Sequence, residues 1–191
     1  MTDTTGELWV VRHGETEWSR SGRHTSTTEV PLTPDGEQAA AELAPELAGI
    51  GFDLVLTSPR ERARRTAALA GFADAVVEED LVEWDYGDFE GLTTPQIREQ
   101  VPKWTVWTHR SPGGESEDAI STRLDRVVAR VRDQGGRVLV FGHGHASRAL
   151  AMRWLGLSVN GGRLLKLDPA TISVLGYEHE APAIGRWNAP A

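Results

Sequence analysis

The sequence predicts an α/β fold: a three-layer α/β/α sandwich with a mainly parallel central sheet and an antiparallel edge strand. Three observations carry that expectation. Two short apolar runs, Leu8 to Val11 and Val138 to Phe141, break into histidine and glycine as Arg12-His13-Gly14 and Gly142-His143-Gly144. In an open parallel sheet such breaks cluster at the carboxyl edge of the strands, where two distant imidazoles can face one another. Between them, strand-like and helix-like segments alternate, as they do when helices cover a parallel sheet. The tail instead offers Thr171 to Tyr177 and Ala183 to Trp187 as an antiparallel edge hairpin.

Leu8 to Arg12 reads as the first strand, and Gly14 to Val30 as a long structured loop of the kind that binds ligands. Thr33-Pro34 supplies an N-cap and a first-turn proline for a helix to about Ala48, which Pro45 is expected to end or kink. Asp53 to Thr57 is the second strand, and Ser58-Pro59 repeats the capping signal for a helix through about Gly71. Ala75 to Val77 reads as a third strand. The acidic, aromatic segment Glu83 to Leu92 is a loop leading into a helix at Thr94 to Gln100, closed by Pro102. Trp104 to Gly114 is irregular, with both of its tryptophans expected to pack. Glu115 to Asp133 places Ile120, Leu124, Val127, Val128 and Val131 at helical spacing, with arginines on the other face. Arg137 to Phe141 is a nearly continuous apolar strand of the doubly buried kind, followed by a helix from about His145 to Leu155.

With 191 residues, 39% of them hydrophobic and 25% charged, the chain reads as a single domain spanning 1–191. It contains no cysteine, which excludes disulfides, thiolate nucleophiles and cysteine-ligated metals. The start lacks a basic, apolar leader pattern and no uncharged run is long enough to span a bilayer, so a cytoplasmic protein is expected. The net charge of −8, with acid concentrated from Glu78 to Glu90, argues against nucleic-acid or membrane partners. All but Lys103 and Lys166 of the 20 basic residues are arginine, which fits either genomic bias or planar anion-binding forks.

Leu8-Trp-Val-Val-Arg-His-Gly-Glu-Thr-Glu-Trp-Ser19 resembles the signature of the histidine phosphatase superfamily, the phosphoglycerate-mutase-like proteins. Ser58 to Ala67 resembles the family's second motif, Glu83 to Gly91 its third and Gly142 to Leu150 its fourth, in the expected order. Gly22 to Thr33, Glu83 to Glu99 and Trp107 to Ser116 resemble a branch holding acid phosphatases and sugar-bisphosphatases. A phosphate monoester repels nucleophiles by its own charge, so a site must neutralise its oxygens and align the attacking atom. Arg12 and Arg62 suit the first task. The resemblance implies that His13 takes the phosphoryl group as a phosphohistidine and that His143, with the Gly144 N–H, binds a phosphate oxygen. It implies too that Glu83 gives a proton to the leaving group and then activates water.

Ser19, Arg23, His24, Thr25 and His145 are the expected substrate contacts around this core, although Ser26 stands where relatives often carry a backbone-exposing glycine. His143-Gly-His145 lacks a third ligand at metal spacing, and the family needs neither metal nor other cofactor. Mutases of the family carry an adjacent arginine pair in an insertion after the third motif, whereas the segment Trp104 to Glu115 is short and has only Arg110. A phosphatase acting on a small phosphorylated metabolite is therefore expected. The alternatives are a cofactor-dependent phosphoglycerate mutase and a non-catalytic phosphometabolite-binding protein. A second phosphate would meet Arg23, His24, His109, Arg110 or His145. Oligomeric state is left open, and a homo-oligomer is compatible with the sequence.

Overall fold

The computed structural model describes residues 6–191. Its strands form one six-stranded sheet in the order β3-β2-β4-β1-β5-β6, comprising β1 (Gly6–Arg12), β2 (Leu54–Thr57), β3 (Val76–Val77), β4 (Gly136–Gly142), β5 (Ile172–Glu178) and β6 (Ala181–Ala189). β1 runs parallel to β4 with Arg12 opposite Gly142, and β2 runs parallel to β4 with Thr57 opposite Phe141. β5 is antiparallel to β1 and β6 to β5, as the tail pattern predicts.

The helices are α1 (Glu17–Arg20), α2 (Pro34–Ala48), α3 (Glu61–Leu69), α4 (Thr94–Gln100), α5 (Glu117–Gln134) and α6 (Gly144–Trp154). Alternation along each strand sends successive side chains to opposite sheet faces. Leu8, Val10, Val138 and Val140 pack with Ile120, Leu124 and Val131 of α5 and with Ala149, Leu150 and Trp154 of α6. Val11, Leu139, Phe141 and Ile172 pack on the other side with Leu43 and Leu47 of α2 and Ala67 of α3. Both faces of the central strands are thus covered, which completes the three layers. Among the described residues, no helix is long and apolar enough to cross a membrane.

Four local expectations need correction. The stretch from Gly14 to Val30 contains α1, whose cap Thr16 forms a reciprocal capping box with Ser19, and it is tied down by isolated bridges Thr16–Leu32 and Arg23–Thr93. Pro45 does not end α2, because it lies on the exposed side, where water can serve the carbonyl it frees. Ser58 does not cap α3. That helix begins at Glu61, whose N–H donates to the Glu29 carboxylate, and the Ser58 hydroxyl is used elsewhere. Finally, the arginines of α5 are not all on its outer face: Arg123 is buried, in line with Ile120, Leu124 and Val127.

Candidate active site

His13 leaves the end of β1 with its backbone N–H still bonded to the Gly142 carbonyl at 2.9 Å. The next residue packs against the first turn of α2, where Gly14 and Gly36 approach so closely that a Cβ on Gly14 would collide with the Gly36 carbonyl. The Gly14 N–H donates to Thr66 Oγ1 at 3.0 Å, tying the turn to α3. His13 Nδ1 lies 2.7 Å from the Gly14 carbonyl oxygen, which can only accept. A neutral ring bonded in this way carries its proton on Nδ1 and presents the Nε2 lone pair. Burial holds the His13 pKa well below the ordinary imidazole value, and the charges of Arg62 and Arg12 push in the same direction.

His143 follows β4, at the N-cap of α6, with its ring centroid 5.2 Å from that of His13. Its Nε2 lies 2.7 Å from Ser58 Oγ, which also accepts from the Arg60 N–H at 3.4 Å. When the hydroxyl donates to Nε2, the His143 proton resides on Nδ1. That nitrogen is buried without a partner among the described residues, as are Arg12 Nε and Arg62 Nε. Arg62 is fully buried, with its outer nitrogens bonded to the carbonyls of Thr25, Ser26 and Thr28. Arg12 Nη1 donates to the Leu167 carbonyl at 2.5 Å. Gly144 lies against Arg12, since a Cβ there would be 3.4 Å from the guanidinium carbon. No described carboxylate is within ion-pair distance of either arginine. Buried donors and cations left in this state call for an anion, and the amino end of α6 adds its dipole to them.

Glu83 approaches the same helix end. Its Oε1 accepts from the backbone N–H groups of Trp84 at 2.9 Å and Ala146 at 2.7 Å, and Oε2 from that of His145 at 3.0 Å. The carboxyl is thus fixed over the first turn of α6 beside the histidines. Arg123 secures its backbone, with Nη2 donating to the Glu83 carbonyl at 3.3 Å and Nη1 to that of Asp80 at 2.7 Å. Glu115 holds this guanidinium from Nε and Nη2 at 2.7 and 2.9 Å. The Glu90 carboxylate accepts from the N–H and hydroxyl of Ser26 and from the Thr28 N–H, closing the loop that Arg62 grips.

A cavity of about 240 Å³ gathers Arg12, His13, Ser19, Arg23, His24, Thr25, Glu83, Gly144 and His145, while Arg62 and His143 are buried behind it. The Ser19 hydroxyl is already committed to capping α1, donating to the Thr16 carbonyl at 3.0 Å. Tyr86 and Arg148 also line the cavity, and neither was singled out in the sequence. His109 and Arg110 line a different hollow, with Trp84 and Asn160, so neither belongs with the expected second-phosphate contacts. Trp107 backs His145 with ring centroids 5.3 Å apart, and Trp104 backs His24 at 5.1 Å. A larger cavity, about 700 Å³, opens at the opposite edge of the sheet beside Gly6 and Gly136. There Arg137 is already paired with Glu7, so the smaller cavity is where unpaired donors converge. No metal-holding group of three His, Asp or Glu side chains occurs among the described residues.

The chain is similar to known proteins over most of its length. Residues 8–190 match the model of the histidine phosphatase superfamily (branch 1). The chain is 46% identical over 177 residues to an acid phosphatase of Mycobacterium tuberculosis (strain ATCC 25618 / H37Rv), covering 90% of this chain and 87% of the relative. It is 35% identical to the sedoheptulose 1,7-bisphosphatase of Saccharomyces cerevisiae, covering 83% and 71%. The solved structure of an open reading frame product from Mycobacterium tuberculosis superposes with a TM-score of 0.93 at 42% identity, covering 97% of this chain and 98% of that one.

Proposed function

The chain belongs to the histidine phosphatase superfamily (branch 1), and on that footing we propose that it hydrolyses phosphate monoesters of small metabolites through a phosphohistidine on His13. One observation carries this reading: a neutral His13 with Nδ1 anchored on the Gly14 carbonyl, its Nε2 lone pair unclaimed, beside the unpartnered Arg12 Nε, Arg62 Nε and His143 Nδ1. Nε2 attacks phosphorus, the ester P–O bond breaks, and Glu83 protonates the departing alkoxide. Water then attacks the phosphohistidine, Glu83 takes its proton, and the N–P bond breaks to restore neutral His13. Arg12, Arg62, His143 and the Gly144 N–H hold the phosphoryl oxygens throughout, donors already in place before charge builds up.

The short segment from Trp104 to Glu115 favours hydrolysis over mutase chemistry. Its single arginine, Arg110, spends Nε and Nη2 on the Gly114 carbonyl and is absent from the cavity walls. Incubation with 3-phosphoglycerate and with p-nitrophenyl phosphate separates the readings. Release of inorganic phosphate is expected, abolished in His13→Ala. Interconversion of phosphoglycerates without phosphate release would instead establish a mutase, and binding with neither reaction a non-catalytic binding protein.

A further inference from the structure

The cavity carries two imidazoles that the phosphoryl chemistry does not use. His24 Nδ1 lies 2.9 Å from the Leu92 carbonyl oxygen, which can only accept. The neutral ring therefore carries its proton on Nδ1 and leaves Nε2 as an acceptor. His145 Nδ1 lies 2.6 Å from the Tyr86 hydroxyl. That phenol has no other hydrogen-bond partner among the described residues. Burial, reinforced by the charges of Glu83 and Glu90, holds its pKa well above the ordinary value, so it keeps its proton and can donate it to His145 Nδ1. With the phenol as donor, the His145 proton resides on Nε2. One ring offers an acceptor and the other a donor, parallel to within 8° with centroids 5.9 Å apart. Trp104, Trp107 and Tyr86 pack edge-on behind them and restrict their swing.

Resting on the phosphatase reading above, we propose that His24 and His145 form a hydroxyl-reading pair that selects phosphate esters of polyols, with Tyr86 as its positioning residue. A hydroxyl group both accepts and donates, matching His145 Nε2–H and His24 Nε2 together. An ionised phosphate or carboxylate oxygen has no proton for His24, and an alkyl chain satisfies neither nitrogen. Burial lowers the pKa of both rings, so they stay neutral and offer no cation to a second anionic group. The pair thus favours the hydroxylated body of a substrate over a second charge.

Glycerol 3-phosphate and n-propyl phosphate share a three-carbon chain and differ in its hydroxyls, so their kcat/KM ratio reads the pair directly. The wild-type protein should prefer the glycerol ester by about 10-fold or more, since a site built around a hydroxyl rejects the analogue lacking it. Tyr86→Phe and His24→Phe should each move the ratio several-fold towards one. Imidazole 15N spectra should show His145 protonated on Nε2 in the wild type and a mixture of tautomers in Tyr86→Phe. Equal kcat/KM for the two esters, a ratio unchanged in both variants, or a His145 proton on Nδ1 would overturn the proposal and leave the phosphatase reading standing. Failure to release phosphate from either ester and from p-nitrophenyl phosphate would overturn the phosphatase reading itself.

Discussion

The protonation of His13 follows from one carbonyl and two arginines. The Gly14 carbonyl fixes the proton on Nδ1, while burial, Arg62 and Arg12 disfavour a second proton on Nε2. An ordinary imidazole gains that proton as pH falls through about 6.5 and would lose its nucleophilic lone pair there. With the pKa depressed, His13 remains neutral through this range and the phosphorylation step keeps its nucleophile in mild acid. Titration by imidazole NMR should find His13 still neutral as pH falls through the ordinary imidazole value of about 6.5. A midpoint near the ordinary value would contradict the assignment. Glu83 gives a second check at this scale. An amide at this position cannot deliver a proton to an alkoxide, so Glu83→Gln should cut hydrolysis of alkyl phosphates by about 100-fold or more. On kcat/KM, which reports the phosphorylation step, it should spare p-nitrophenyl phosphate much more, since that anion leaves unaided; equal losses in kcat/KM on both substrates would remove Glu83 from the acid role.

At the level of elements, the site depends on how closely the β1–α1 turn can sit against α2. A Cβ on Gly36 would meet the Glu15 carbonyl, whereas one on Gly49, at the end of the same helix, would meet nothing within 4 Å. Gly36→Ala should therefore cost about 1–3 kcal/mol of stability and displace the His13 turn with a loss of kcat/KM. Gly49→Ala, measured beside it by urea unfolding and steady-state kinetics, should change little. Wild-type behaviour in Gly36→Ala would show that the close approach does not matter. The start of α2 was legible because Thr33 and Pro34 carry a local signal, and its N-cap bond is formed. Ser58 carried the same signal and misled, because hydrogen-bonding propensity does not reveal which partner wins; here a histidine from a distant strand takes the hydroxyl. Arg123 was legible in hindsight, since its position falls within the apolar stripe of α5. Tyr86 and Arg148 left no comparable trace, because their roles arise only when loop and helix meet in space.

Over the whole molecule, topology accounts for the meeting of residues far apart in sequence. β2, β4 and β1 are neighbours and parallel, so Ser58, His143 and His13 emerge side by side from one edge of the sheet. Backbone bonds continue past the strand ends, from the Ser58 N–H to the Phe141 carbonyl and from the His13 N–H to the Gly142 carbonyl. The sheet thus sets the spacing of the histidines, while α3 and α6 bring Arg62 and the N–H groups that receive Glu83. Hydrophobic periodicity made the layers and the strand ends that carry the candidate site readable, since it reports which segments are strands and where they stop. It could not report the walls of the cavity beyond that edge, which irregular segments build through side-chain contacts. The central claim is that this edge presents His13 Nε2 to phosphorus. Rapid quenching during turnover of a 32P-labelled monoester tests it most directly: the wild-type protein should carry an acid-labile, base-stable label on His13, and His13→Ala none. Label retained by His13→Ala, or no label on the wild type in single-turnover quenches that resolve the burst of alcohol release, would contradict it.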